Sequence, residues 1–140
     1  MKVTDQINDY FDSLPEAKGM EMRKLHTLVL SIDPAAKLWF LDGRDDTGKV
    51  VSNPNVGYGD LALKYADGSQ KAFYKVGISA NTTGISIYIM GLHDRKALNE
   101  RYGKTLGKAA ITGYCVKFKR LDDLNPDILN SMLAFGLQNH

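Results

Sequence analysis

The sequence predicts an α+β domain: a mostly antiparallel sheet of about five or six strands, with two N-terminal helices and a C-terminal helix packed on one face. Three observations carry that prediction. Apolar residues recur at steps of three and four from Val3 to Ile32, and again from Ile128 to Phe135, which is the spacing of one helical face. Between these stretches come short runs rich in β-branched and aromatic residues, the signature of strands. The turns between those runs are too short for helical crossovers, so neighbouring strands run antiparallel.

Taken in order, Thr4 is the expected cap of a helix starting at Asp5, with Val3, Ile7, Tyr10, Phe11 and Leu14 on its apolar side. Ser13-Leu14-Pro15-Glu16 ends that helix and starts another, proline suiting a first turn. Met22, Leu25, Leu28, Val29 and Ile32 continue the helical spacing, and Asp33-Pro34 stops it. Lys37 to Leu41 reads as a strand, Asp42 to Gly48 as a loop, and Val50-Val51 as a short strand broken by Asn53-Pro54-Asn55. Leu61 to Tyr65 and Lys71 to Ser79 form a hairpin about Asp67-Gly68, the pair that supplies positive φ. Asn81 to Gly84 turns into a strand from Ile85 to Met90. Arg95 to Tyr102 reads as a short helix, Gly103 to Gly113 as a glycine- and lysine-rich loop, and Tyr114 to Lys119 as the last strand. Asn125 caps a final helix with Pro126 in its first position.

The chain has 140 residues, 44% hydrophobic and 24% charged, the mixture of one globular domain spanning 1–140. Its net charge of +2 is too small to predict nucleic acid as a partner, since phosphate binding needs a clustered basic face. The single cysteine, Cys115, cannot form an internal disulfide or a four-ligand zinc site. The opening residues Met1 to Gln6 lack an apolar signal region, and no apolar run reaches the roughly 18 residues of a membrane span. The expected compartment is therefore the cytoplasm, and the Asn81-Thr82-Thr83 sequon is read as chance.

The glycine motifs are each broken. Gly43 to Gly48-Lys49-Val50 has valine where a P-loop needs the magnesium-binding hydroxyl, and no helix follows it. Gly103-Lys104-Thr105 lacks the first glycine, its position being Leu98. Gly57-Tyr58-Gly59-x-x-Ala62 imitates a dinucleotide fingerprint but leads into a strand. All three read as turns. The histidines His26, His93 and His140 have no partner at ligand spacing, and no nucleophile, base and orienting acid can be named as a set.

Two surfaces remain as candidates. Asp5, Asp9, Asp12 and Glu16 fall on one helical face, where carboxylates could hold a hard cation such as ferrous iron, or simply keep the face solvated. The second is the sheet face away from the helices. Alternation places Leu61, Leu63 and Tyr65 opposite Lys64, and Tyr74, Val76 and Ile78 opposite Phe73 and Lys75. It also sets Ile85, Ile87 and Ile89 against Tyr88 and Met90, and Val116 and Phe118 against Cys115, Lys117 and Lys119. The uncovered face would then show Lys64, Phe73, Lys75, Tyr88, Met90, Lys117 and Lys119, with rings for stacking and lysines for an anionic ligand.

The segments Asn53-Pro54-Asn55-Val56-Gly57-Tyr58-Gly59, Tyr65-Ala66-Asp67-Gly68, Val76-Gly77-Ile78-Ser79 and Ile85-Ser86-Ile87-Tyr88-Ile89-Met90 have a familiar order and spacing. So do Leu106-Gly107-Lys108, Thr112-Gly113-Tyr114-Cys115-Val116 and Lys119-Arg120-Leu121-Asp122-Asp123-Leu124. Together they resemble the YdhG-like family, small bacterial α+β domains without an established activity, over nearly the whole chain. The resemblance implies an antiparallel sheet with flanking helices. One branch of that family is described as frataxin-like, an iron chaperone for iron–sulfur and haem assembly, and that role would fall here on Asp5, Asp9 and Asp12. The chain departs from the family pattern at Tyr114, where lysine is expected, and in a longer preceding loop with Ala109 and Ala110 extra.

The leading expectation is a non-enzymatic binding domain with no resident cofactor. It would take a small or anionic molecule with Gly57, Tyr58, Gly59, Phe73, Lys75, Tyr88 and Lys117, away from any membrane, with a homodimer kept open. The alternatives are iron handling through Asp5, Asp9 and Asp12, and an enzyme using Cys115 with a base such as His26 or His93.

Overall fold

The computed structural model describes residues 2–92 and 94–138. His93 and His140, two of the histidines named above, lie outside these residues. The chain begins with helices α1 (Val3–Ser13) and α2 (Glu16–Ile32). Strands β1 (Leu38–Leu41), β2 (Asn55–Tyr58), β3 (Leu61–Lys64), β4 (Gln70–Phe73), β5 (Val76–Ala80) and β6 (Ile85–Ile89) follow. A short helix α3 (Ala97–Tyr102) leads to β7 (Ala109–Thr112) and β8 (Cys115–Phe118). A 3-10 turn at Leu121–Asp123 precedes the closing helix α4 (Pro126–Gln138). The fold is α+β, with a six-stranded antiparallel sheet in the order β1-β2-β5-β6-β8-β7 and β3-β4 as a separate two-stranded sheet.

The helices form where their apolar faces can be buried. α1 buries Ile7, Tyr10 and Phe11, and α2 buries Met22, Leu25 and Val29. α4 buries Leu129, Met132 and Leu133. These meet Val56, Ile78, Ile87 and Val116 in one cluster, each such side chain contributing roughly 1.5–3 kcal/mol. In the last turn of α4, Gly136 lets the helix backbone close on the sheet: a Cβ there would stand 3.0 Å from Ile89 and Val76. That contact fixes which face of the sheet the helices cover.

Asn125 caps α4 as the sequence predicts, its Oδ1 accepting from the backbone N–H of Asp127 at 3.0 Å and of Ile128 at 3.3 Å. Thr4 does not cap α1. The carbonyl of Lys2 accepts from the N–H of Gln6 at 3.0 Å, so the first turn closes two residues earlier and Thr4 lies within it. Pro15 stands at the N-cap of α2, one residue before the helix rather than inside it. α3 likewise starts at Ala97, not Arg95.

Four strand expectations change. The run Lys71 to Ser79 is two strands in different sheets, broken at Tyr74-Lys75 so that the chain can pass from the hairpin into the main sheet. Gly57-Tyr58 is the end of β2 rather than a loop, with Gly57 paired to both Trp39 and Gly77. The expected loop Gly103 to Gly113 contains the edge strand β7. Val50-Val51 is no strand: Val50 makes one isolated bridge to Arg44, and both valines are exposed.

The break also changes the sheet face. Tyr74 belongs on the face away from the helices, not with Val76 and Ile78. Its ring lies across Gly57 and Gly77, and only glycine leaves that space. Phe73 stacks on it at 4.1 Å between centroids, and the Tyr74 hydroxyl donates to Asn55 Oδ1 at 3.3 Å. Lys64, Leu63 and Phe73 belong to the β3-β4 hairpin and not to the main sheet.

Candidate functional site

One end of the main sheet carries a cavity of about 650 Å³. Its floor follows from the strand register. Lys75 precedes β5, Met90 follows β6, and Tyr114 precedes β8, so all three lie side by side at the same end of neighbouring strands. The Met90 N–H donates to the Lys75 carbonyl at 2.8 Å, and the Ile89 N–H donates to the Tyr114 carbonyl at 2.8 Å. The hairpin strand β3 supplies a second wall with Asp60, Leu61 and Lys64, and the segment before α3 supplies Leu92 and Arg95.

The site carries an excess of positive charge. Lys64, Lys75 and Arg95 line it against the single carboxylate of Asp60. Among the described residues the one salt bridge joins Arg23 to Asp12, and none ties these three cations to an acid. Lys75 is held in place. Its aliphatic stem runs over Gly59, where a Cβ would fall 2.9 Å from Cδ, and Gly59 has φ +92, a conformation open to glycine. Its ammonium donates to the Leu137 carbonyl in the last turn of α4 at 3.1 Å, which uses one of its three donors. Arg95 rests over the β7–β8 turn, its Nε 3.6 Å from where a Cβ on Gly113 would be. Leu61, Met90 and Leu92 give the site its apolar surface, and Tyr114, 44% exposed, its ring.

The structure divides the residues that the sequence grouped. Lys75 lines the cavity, and Gly59 makes room for it. Gly57 lies under Tyr74. Phe73 stacks on Tyr74, meets Trp39 edge-on at 6.3 Å and has the Lys71 ammonium 5.8 Å from its centroid. Tyr88 pairs with Cys115 on the face away from the helices, beside exposed Lys117. Tyr58 is 0% exposed in the helix-side core, which removes it from any ligand surface. Its hydroxyl and Nδ1 of His26 are hydrogen-bonded at 2.7 Å. Asp60, Arg95 and Tyr114 were missed as site residues; Arg95 and Tyr114 reach the cavity from a loop and a turn whose positions no periodicity announces.

The other two candidate sites lie elsewhere. Asp5, Asp9 and Asp12 are all exposed on α1, and the Asp12 carboxylate accepts a hydrogen bond from Arg23 of α2. No group of three or more His, Cys, Asp or Glu side chains among the described residues is arranged to hold a metal ion. Burial pushes the Cys115 thiol up from its ordinary pKa, partly offset by the Lys117 ammonium and the Ser86 hydroxyl. His26 is not its base, because that ring is bonded to Tyr58 on the opposite face of the sheet. No helix among the described residues is long and apolar enough to cross a membrane. The chain matches no protein-family model, and no curated protein or solved structure is significantly similar to it.

Proposed function

We propose that this chain is a YdhG-like binding domain of the cytoplasm, which holds a small organic anion in the cavity at the end of its sheet without making or breaking its bonds. One observation carries the reading: three cations from three separate segments, Lys64, Lys75 and Arg95, line a single cavity with one opposing carboxylate. The volume supports an organic ligand, since binding pockets of about 300–1,000 Å³ enclose small molecules, whereas an inorganic anion would leave most of this one to water. The cavity takes over the role that the sequence assigns to the whole sheet face, and Lys75 belongs to both readings.

The test is a fluorescence titration with anilinonaphthalene sulfonate, an aromatic anion, at fixed ionic strength. Lys75→Met with Arg95→Met should weaken binding by about tenfold or more, because hydrogen bonds to charged groups contribute roughly 1.5–3 kcal/mol each. Lys104→Met with Lys119→Met, which removes two exposed cations away from the cavity, should leave binding unchanged. Equal losses in the two double variants would mean that net charge, not the cavity, attracts the dye.

A further inference from the structure

We infer that the cavity selects an elongated ligand with an acidic group at each end and an apolar body between them. The inference rests on the anion-binding reading and adds the shape of the anion. It comes from the register of three strands. Lys75, Met90 and Tyr114 stand at the ends of β5, β6 and β8, which are consecutive neighbours in the sheet. Two interstrand spacings of roughly 4.8 Å put the backbone of Lys75 about 10 Å from that of Tyr114.

Two of the three cations mark the ends of that row, and the third, Lys64, lines the cavity from the β3 wall. Lys75 anchors one end, its stem fixed over Gly59 and its ammonium steered by the Leu137 carbonyl. Arg95 anchors the other, its guanidinium lying over Gly113 beside Tyr114. Between them the floor is Met90, with Leu61 and Leu92 also lining the cavity. A single acid can satisfy one anchor and leaves the other without a partner. A short diacid is shorter than the backbone row between the two anchors. A long diacid meets an ammonium at one end, a guanidinium fork at the other and apolar surface along its length.

Calorimetric titration with azelate, nonanoate and succinate at fixed ionic strength tests this. Azelate carries two carboxylates on a long chain, nonanoate has the same chain with one, and succinate has two on a short chain. The expected result is azelate binding about tenfold more tightly than either of the others, the equivalent of one charged hydrogen-bonded contact. Lys75→Met or Arg95→Met alone should reduce azelate to the affinity of nonanoate, and Lys75→Arg should restore most of the difference. Urea unfolding of each variant establishes that it is folded. Equal affinities for azelate and nonanoate would overturn the two-ended ligand while leaving an anion site intact. Failure of all three acids to bind, with the dye still bound through Lys75 and Arg95, would overturn it as well. Loss of dye binding from the wild type would instead overturn the reading beneath it.

Discussion

A Cβ built on Gly57 would fall 2.3 Å from Cδ2 of Tyr74, and one on Gly77 would fall 2.5 Å from its Cε1. The two glycines are directly paired across β2 and β5, so together they make a flat bed for one ring. Tyr74 is only 4% exposed there, and burial raises the pKa of its hydroxyl. Gly57→Ala should therefore destabilise the fold by about 2 kcal/mol, the usual cost of overpacking a closed site. Urea unfolding measures it. Tyr74→Leu in the Gly57→Ala background should recover part of the loss. An unchanged midpoint in Gly57→Ala would show that the ring moves aside freely.

Asn125 offers a smaller test of local structure. Its side chain satisfies two N–H groups at the start of α4, so Asn125→Ala should cost about 1 kcal/mol, and Asn125→Asp should cost less because the helix dipole favours the acid. Thermal unfolding of the two variants provides the comparison. Thr4→Ala should be nearly silent in the same assay, because Thr4 lies inside the first turn of α1 and caps nothing.

His26 makes stability depend on pH. Burial, and after it the Arg23 guanidinium, holds its pKa below the ordinary value of 6.5. The unfolded chain then binds a proton more readily than the folded one, so stability rises with pH. The contribution is full above pH 6.5 and is lost as pH falls through the lowered folded value. The urea midpoint of the wild type should decrease between about pH 7 and pH 5 by more than that of His26→Gln. Identical pH profiles would place the titrating group elsewhere.

Cys115 should react slowly. Its raised pKa leaves little thiolate at neutral pH, and the thiolate is the reacting species. Alkylation by iodoacetamide should run slower than that of a free cysteine, and Lys117→Met should slow it further by removing the ammonium that favours the thiolate. A rate above that of free cysteine would revive an enzymatic role for this residue.

The elements were legible in the sequence wherever side-chain period or turn chemistry speaks directly. The helical spacing of Met22, Leu25 and Val29, the Asp67-Gly68 turn and the Asn125 cap all stand as the residues predict. The sheet's face pattern was legible only where a strand stays regular. From Leu61 to Ser79 the residues read as one hairpin, and nothing in their alternation announces the break at Tyr74-Lys75 that turns Tyr74 to the other face. Of the glycines that accommodate it, Gly57 reads in sequence as a turn residue and Gly77 as an ordinary member of the returning strand. The cavity was less legible still. It is assembled from strand ends, a loop and a turn, so its members lie between Asp60 and Tyr114 without any shared spacing. Lys75 was picked out for its place on a sheet face, whereas its position depends on Gly59 and on the end of α4, contacts that only the folded chain creates.

The position of a bound anion separates the cavity from the open sheet face. The most direct measurement is a map of backbone amide chemical shifts on titrating anilinonaphthalene sulfonate into the labelled protein. Ligand in the cavity predicts the largest changes at Leu61, Lys75, Met90, Arg95 and Tyr114, with Ser79, Tyr88 and Lys117 little affected. Changes centred on Tyr88 and Lys117 instead would contradict the cavity and return the site to the sheet face away from the helices.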